Sequence, residues 1–350
     1  MKIVELPILS EKYLDAHLSV SRQGFLPDYN YDSMHIENIG KQNINEFNFY
    51  QGCKSKFLRH VYKLSDCIME NGIHCLYSLK EGFRIDDKRL DYSYRGYKKY
   101  YENAYQKECQ KPSDVISGNT LLLGGQWSSE FYHFMFEVLG KINLFCRFLD
   151  FQCIDNVVLR GFDKPFINDA ICQLVPNRIK IIKGEYLRNV KFQTVFLPSM
   201  ICDPGFTCRQ HVSFLRNSFR KIRGKSNEHG SQLKLFINRR NTRRLISSDG
   251  NIKSICDLSG FQIVNMEDLS LLEQIELSQS AKVIAGPHGA GLSNLVFSDA
   301  QLIEFVGKHY NNTCYLDLAL HSGNKYSYVV LDESNGNLRI DSRFLEYCLT

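Results

Sequence analysis

Ala281 to Phe297 reads AKVIAGPHGAGLSNLVF, and this stretch decides the fold. The β-branched run Lys282 to Ala285 suits a buried parallel strand; Gly286, Gly289 and Gly291 break it, and the apolar segment Leu292 to Phe297 then starts a helix. A strand, tight turn, helix junction aims backbone N–H groups and the positive end of a helix dipole at whatever lies above the strand, so a phosphate or diphosphate is the expected guest. His288 and Asn294 add side-chain donors. The glycine spacing is G-x-x-G-x-G rather than the dinucleotide fingerprint G-x-G-x-x-G, and no G-x-x-x-x-G-K-[ST] occurs, which disfavours a nicotinamide enzyme and a P-loop NTPase.

Outward from this junction the pattern alternates. Leu233 to Asn238 reads as a strand, Asn251 to Leu258 as a helix, Phe261 to Val264 as a strand, and Ser270 to Ser280 as a helix opened by the capping box Ser270-x-x-Glu273. After the glycine turn come the strand Leu302 to Val306, the helix Thr313 to Leu320 and the strand Tyr326 to Leu331. Five strands separated by helices predict a parallel, doubly wound sheet. A similar alternation runs earlier: strands at Thr120 to Leu123, Asn156 to Arg160, Ile179 to Ile182 and Val190 to Leu197, with helices at Ser129 to Leu149 and Pro165 to Leu174. Between the two units lie a basic amphipathic helix, Thr207 to Arg223, and the polar segment Gly224 to Gln232, which reads as a linker. The first 115 or so residues show only short apolar pieces, and the tyrosine-rich Asp91 to Tyr105 reads as a solvated face.

Directly after the first strand of the second unit stands INRRNTRRLI, with Arg239, Arg240, Arg243 and Arg244. Ligands of open parallel sheets bind beyond the carboxyl ends of strands, where this loop and the His288 loop both lie. One arginine there reads as solvated; four read as a phosphate site, because the guanidinium fork matches phosphate oxygens. Glu304, inside the apolar strand LIEFV, is costly to bury without a partner, either a sugar hydroxyl or one of these arginines. In the first unit, a helix beginning near Ser129 has Phe131, Met135, Val138, Ile142 and Phe145 as its core stripe and Glu130, His133 and Glu137 on another side. Such a pattern is common on ordinary surfaces, yet a carboxylate that orients an imidazole and raises its basicity also makes a general base.

Composition sets the outer bounds. The 350 residues, 43% hydrophobic and 23% charged, fit a globular protein of two domains, and the net charge of +5 is too mild to name a partner. Twelve cysteines show no C-x-x-C pair, so neither a zinc site nor a disulfide framework is expected, and reduced thiols in a cytoplasm are the simplest reading. No window approaches the roughly 18 apolar residues of a spanning helix, and the N-terminus reads as having no leader; any membrane contact is expected to be peripheral. No D-x-D occurs, and that motif holds a divalent cation against the diphosphate in many nucleotide-sugar enzymes.

Taken in order, SEFYHFMFEVLGKINLF, INRRNTRRLI and GFQIVNMEDLSLLEQIELSQSAKVIAGPHGAGLSNLVF with LIEFVG resemble the family 61 glycosyltransferases, over roughly Leu121 to Tyr328 with weak similarity from about 150 to 230. That family includes bacterial capsule and lipopolysaccharide proteins, plant xylan-decorating enzymes and animal N-acetylglucosaminyltransferases. The resemblance implies an α/β GT-B fold of two Rossmann-like parallel-sheet domains facing a cleft. It divides the chain into an acceptor-side domain (1–205), a connecting helix and linker (206–232), a nucleotide-sugar domain (233–332) and a C-terminal segment (333–350) expected to pack back on the first domain. It implies inverting transfer from a nucleotide sugar, a UDP-sugar favoured, to a glycan or glycolipid of capsule or lipopolysaccharide type, with no metal, no cofactor and no nucleic-acid partner, at the cytoplasmic face of the membrane. Donor binding then falls to Arg239, Arg244, His288, Gly289, Ala290, Gly291, Asn294 and Glu304, and catalysis to His133 with Glu137 as helper or substitute. Ser247-Ser248-Asp249 and Gly140 depart from the family pattern without removing a contact. A non-catalytic glycan- or nucleotide-binding protein on the same fold is the alternative.

Overall fold

The computed structural model describes residues 36–38, 61–70, 75–78, 83–85, 112, 114–124, 127–202, 205–220, 233–240, 243–309 and 312–350. Asp91 to Tyr105 and the linker Gly224 to Gln232 lie outside them. The chain divides into two compact units at Pro204 and Gly205, with residues 27–54 joining the second. That second unit therefore contains Ile36–Asn38 (β1), which pairs in parallel with a later strand.

In the first unit, Val61–Glu70 (β2), Cys75–Ser78 (β3) and Phe83–Ile85 (β4) form an antiparallel ribbon. Asp114–Leu122 (β5), Asn156–Leu159 (β6), Lys180–Lys183 (β7) and Val190–Pro198 (β8) complete a seven-stranded sheet in the order β4-β3-β2-β8-β5-β6-β7. β8, β5, β6 and β7 are parallel to one another, and β2 joins β8 antiparallel. The sheet is therefore mixed, whereas a parallel Rossmann-like sheet was expected. Its antiparallel half comes from the N-terminal stretch whose short apolar pieces carry too little periodicity to read. Leu64, Cys67 and Met69 of that half share one core with Leu122, Val158, Phe192 and Val195, so burial of apolar surface joins the halves.

Helix α1, residues 131–148, packs on β8 and β2. It opens with one α turn (Phe131–His133), widens to a π turn (Phe134–Val138) and returns to α-helix (Leu139–Phe148). Beyond the expected stripe, Phe134, Phe136, Leu139 and Leu144 are buried as well, so the helix is enclosed on most sides. Pro165–Leu174 (α2) starts with proline in its first turn, where the missing N–H costs nothing.

In the second unit, Arg209–Ser218 (α3) buries Val212 and Leu215, and Arg216 caps the carbonyls of Val296 and Ser298 through Nε and Nη2, each at 2.7 Å. Leu233–Ile237 (β9), Ile246–Ser248 (β10), Phe261–Val264 (β11), Ala281–Pro287 (β12), Gln301–Gly307 (β13), Tyr326–Ser334 (β14) and Asn337–Ile340 (β15) build the sheet β10-β15-β14-β13-β12-β9-β11, with β1 on β14. The five expected strands, β9, β11, β12, β13 and β14, are parallel and adjacent. Between them lie Ile252–Leu258 (α4), Leu271–Gln279 (α5) and Cys314–Ser322 (α6). The capping box forms, with Ser270 and Glu273 satisfying each other's backbone N–H. The segment after the glycine turn is a 3-10 helix, Ala290–Phe297, in place of the expected α-helix.

Beyond Leu331, β14 continues into a hairpin turned by Asn335 (φ 52°) and Gly336 (φ 76°), the left-handed pair of a type I′ turn. The last helix, Ser342–Leu349 (α7), buries Leu345, Cys348 and Leu349 against Phe236, Cys256, Phe261 and Leu338. Segment 333–350 is thus part of the second unit's core. Leu345→Ala should lower the stability of the second unit by about 2–5 kcal/mol in urea unfolding, the usual cost of a buried leucine cavity. A change near zero would show that α7 is an appendage.

Candidate functional site

Numbered within the parallel set, the strand order β11-β9-β12-β13-β14 is second, first, third, fourth, fifth. In such a sheet the connections turn to opposite sides after the first strand, which opens a crevice between strands one and three at their carboxyl ends. Those strands are β9, which runs into Arg239, and β12, which runs into His288. The three glycines of the loop then have one cause. A Cβ at Gly286 would sit 2.6 Å from the carbonyl oxygen of Ile237, one at Gly291 would sit 2.8 Å from Ile237 Cγ2, and one at Gly289 would overlap the Arg239 guanidinium. Only residues without a side chain let the loop lie this close to the end of β9.

The loop is held from below by a buried carboxylate. Glu304, in the middle of β13, is fully buried; its Oε1 accepts from His288 Nδ1 and its Oε2 accepts from the Tyr326 hydroxyl at 2.7 Å. Burial first, then the charge of Glu304, holds the Tyr326 phenol well above its ordinary range, so it remains a donor. The other ring nitrogen of His288 lies 4.0 Å from Cys314 Sγ, and the side chain is only 5% exposed. The Tyr315 phenol, likewise raised by burial, donates to the Gly289 carbonyl at 2.6 Å. Arg239 donates through Nη1 to the His288 carbonyl at 2.9 Å.

These bonds redistribute the expected roles. His288 and Glu304 face each other inside the unit and so seat the loop, on which the Arg239 guanidinium lies. Asn294 is also fully buried, and its amide donates to Gln274 Oε1 (2.9 Å) and the Gly291 carbonyl (3.1 Å), bracing the 3-10 helix on α5. Ala290 is exposed and Gly291 half-buried, which leaves the first N–H groups of that helix at the surface of the loop. Among the arginines, Arg240 pairs with Asp268 at 2.8 Å, and Arg243 is exposed. Arg244 takes a left-handed backbone (φ 65°) and donates its N–H to Gly336 at 2.7 Å, at the hairpin turn. Tyr315, Tyr326 and Gln274 receive no site role in the sequence reading; each looks like an ordinary core or helix residue until the strands are paired.

In the first unit, β5 leads through Gly124 and the turn at Trp127 to Glu130 into α1. Glu130 precedes the helix and pairs with Lys164 at 3.3 Å, so it does not share the helical stripe with His133 and Glu137. Those two form a direct pair, His133 Nδ1 to Glu137 Oε1 at 2.7 Å, with side chains 27% and 18% exposed. The π turn starts at the residue after His133 and contains Glu137, a winding found often at functional sites. Partial burial pulls the His133 pKa down, but the hydrogen bond and charge of Glu137, with Glu130 behind them, outweigh it and leave the pKa raised. Because Nδ1 faces the carboxylate, Nε2 is the nitrogen available to take a proton.

Among the described residues, no group of three or more His, Cys, Asp or Glu side chains could hold a metal ion. No helix there is long and apolar enough to cross a membrane. Residues 131–303 match the family model described as glycosyltransferase 61, a span that opens at the head of α1 and runs through the glycine loop into β13. None of the curated proteins matches the chain significantly.

The single tryptophan, Trp127, has its ring centroid 6.4 Å from that of His133. An imidazolium quenches a neighbouring indole, so emission should rise with pH through a midpoint above 6.5, the ordinary histidine value. Glu137→Gln should move the midpoint down, and His133→Gln should abolish the step. By linkage, the pair's contribution to stability is fully present below about pH 6.5 and lost as pH climbs through the raised folded pKa. A wild-type midpoint at or below 6.5 would show that Glu137 does not control the ring.

Proposed function

We propose that this chain is an inverting glycosyltransferase of GT-B type that moves a sugar from a nucleotide-sugar donor to a hydroxyl of a glycan or glycolipid acceptor. The observation that carries the reading is the Arg239 guanidinium lying on the glycine loop at the switch point of the second unit's sheet, within the span that matches the family model. A diphosphate suits that place: Arg239 offers a planar fork, and the loop adds the first-turn N–H groups around Ala290 and Gly291. A UDP-sugar is the favoured donor and a capsule or lipopolysaccharide glycan the favoured acceptor, both on resemblance, with the protein working at the cytoplasmic face of the membrane.

In this reading His133 Nε2 removes the acceptor hydroxyl proton as the oxygen attacks the anomeric carbon from the face opposite the diphosphate. The bond from that carbon to the phosphate oxygen breaks, and its electron pair leaves with the diphosphate. Charge on the leaving group is greatest in the transition state, so Arg239 and the loop N–H groups act there most strongly. Glu137 orients the imidazole and stabilises its protonated form.

Arg239→Ala should weaken UDP binding by roughly 1.5–3 kcal/mol in calorimetry, the worth of a hydrogen bond to a charged group. Arg240→Ala should do less, since its charge is spent on an exposed pair with Asp268. Equal affinities in all three proteins would remove the donor assignment. Since the chain has no D-x-D and cationic side chains take its place, transfer should persist in excess EDTA; loss of activity restored by manganese would place a metal in the reaction.

His133→Ala should lower kcat by about 10²–10⁴-fold, the usual range for general acid–base catalysis, with UDP affinity nearly unchanged. Glu137→Gln should have the smaller effect. The reverse ranking would make Glu137 the base, and full activity in both would return the pair to a structural role.

A further inference from the structure

Trp127 has no part in the mechanism above, yet its environment is specific. It is 47% exposed, although it is the largest apolar side chain a protein can carry and the only one of its kind here. In the turn that carries it, Glu130 N–H donates to the Trp127 carbonyl at 2.9 Å, and Gly161 packs so closely that a Cβ on it would lie 2.5 Å from Ser129 Cβ. The indole ring is tilted 31° to the His133 ring, and Tyr132 meets His133 edge-on at 5.7 Å. The imidazole is held by the Glu137 carboxylate, and Glu130, at the end of the turn, is paired with Lys164.

We propose that Trp127 is the platform on which the acceptor's pyranose ring stacks, holding the ring's hydroxyl against His133. The assignment rests on the transferase reading and extends it to the acceptor. The chemistry selects this ligand over others. A pyranose has a C–H face that matches an indole and a rim of hydroxyls that donate to carboxylates and imidazole. An acyl chain or an apolar peptide would desolvate the partly exposed His133–Glu137 pair without offering it a hydrogen bond, at a cost.

The test uses the full chain and five methyl pyranosides, those of glucose, galactose, mannose, N-acetylglucosamine and rhamnose, with glycerol and uridine as controls. At least one pyranoside should change Trp127 emission saturably, and glycerol and uridine should not. In saturation-transfer NMR the same pyranoside should bind Trp127→Ala at least tenfold more weakly and Trp127→Phe at an intermediate level. UDP affinity of the second unit, read by calorimetry, should be unchanged in both variants. No response to any of the five sugars, equal binding by Trp127→Ala, or a response to uridine instead would overturn the platform. Sugar binding without UDP binding would keep the platform and sink the transferase reading, and UDP binding without sugar binding would do the opposite.

Discussion

A carboxylate buried in the middle of a parallel strand governs the second unit. Glu304 has no exposed surface, and an ionised carboxylate at such a place is tolerated only with partners on both oxygens. It has them in His288 from β12 and Tyr326 from β14, the strands on either side of its own. The consequences run upward. His288 is fixed by its ring, so its carbonyl is fixed; that carbonyl receives Arg239, and the guanidinium so placed leaves room only for glycine at position 289. The surface of the loop at the switch point is thus determined by a bond network lying one layer beneath it.

Much of this was legible in the chain. Strand, turn and helix around Gly286 to Gly291, the parallel five-strand set and the capping box at Ser270 all follow from period, breakers and caps, which are local properties. Glu304 also announced a partner, because a charge inside LIEFV demands one. What the sequence could not name was that partner. Whether a strand carboxylate meets a sugar, an arginine or a histidine depends on register, and register is set by the paired strands, far apart in sequence. The tyrosines failed to register as functional for the same reason.

Two further features escape the sequence reading for different causes. The antiparallel half of the first sheet comes from β2, β3 and β4, short runs whose pairing is sealed by burial against β8 and not by their own pattern. The hairpin at Asn335 and Gly336 was not hidden at all: Asn-Gly between strand-like runs is a strong local signal, and it sits just past the point where the βα alternation stops. A reading organised by alternation ends at Leu331 and so misses the element that anchors Arg244.

His133 and His288 are each held by a glutamate through Nδ1, and exposure separates them. A general base must load and unload a proton with solvent in every cycle, so it needs a nitrogen that water and substrate can reach. His288, 5% exposed and with Cys314 against its second nitrogen, has no such route, and its pairing with Glu304 serves to place a backbone carbonyl. His133 is 27% exposed, has Nε2 turned from its carboxylate, and sits where the helix winding widens from α to π. A π turn adds a residue per turn, so it moves the side chains that follow relative to those before; here it sets Glu137 at 2.7 Å from the ring while Phe134, Met135 and Phe136 between them stay buried. The same pair of residue types therefore does structural work in one unit and is available for chemistry in the other, and the difference lies in solvent access alone.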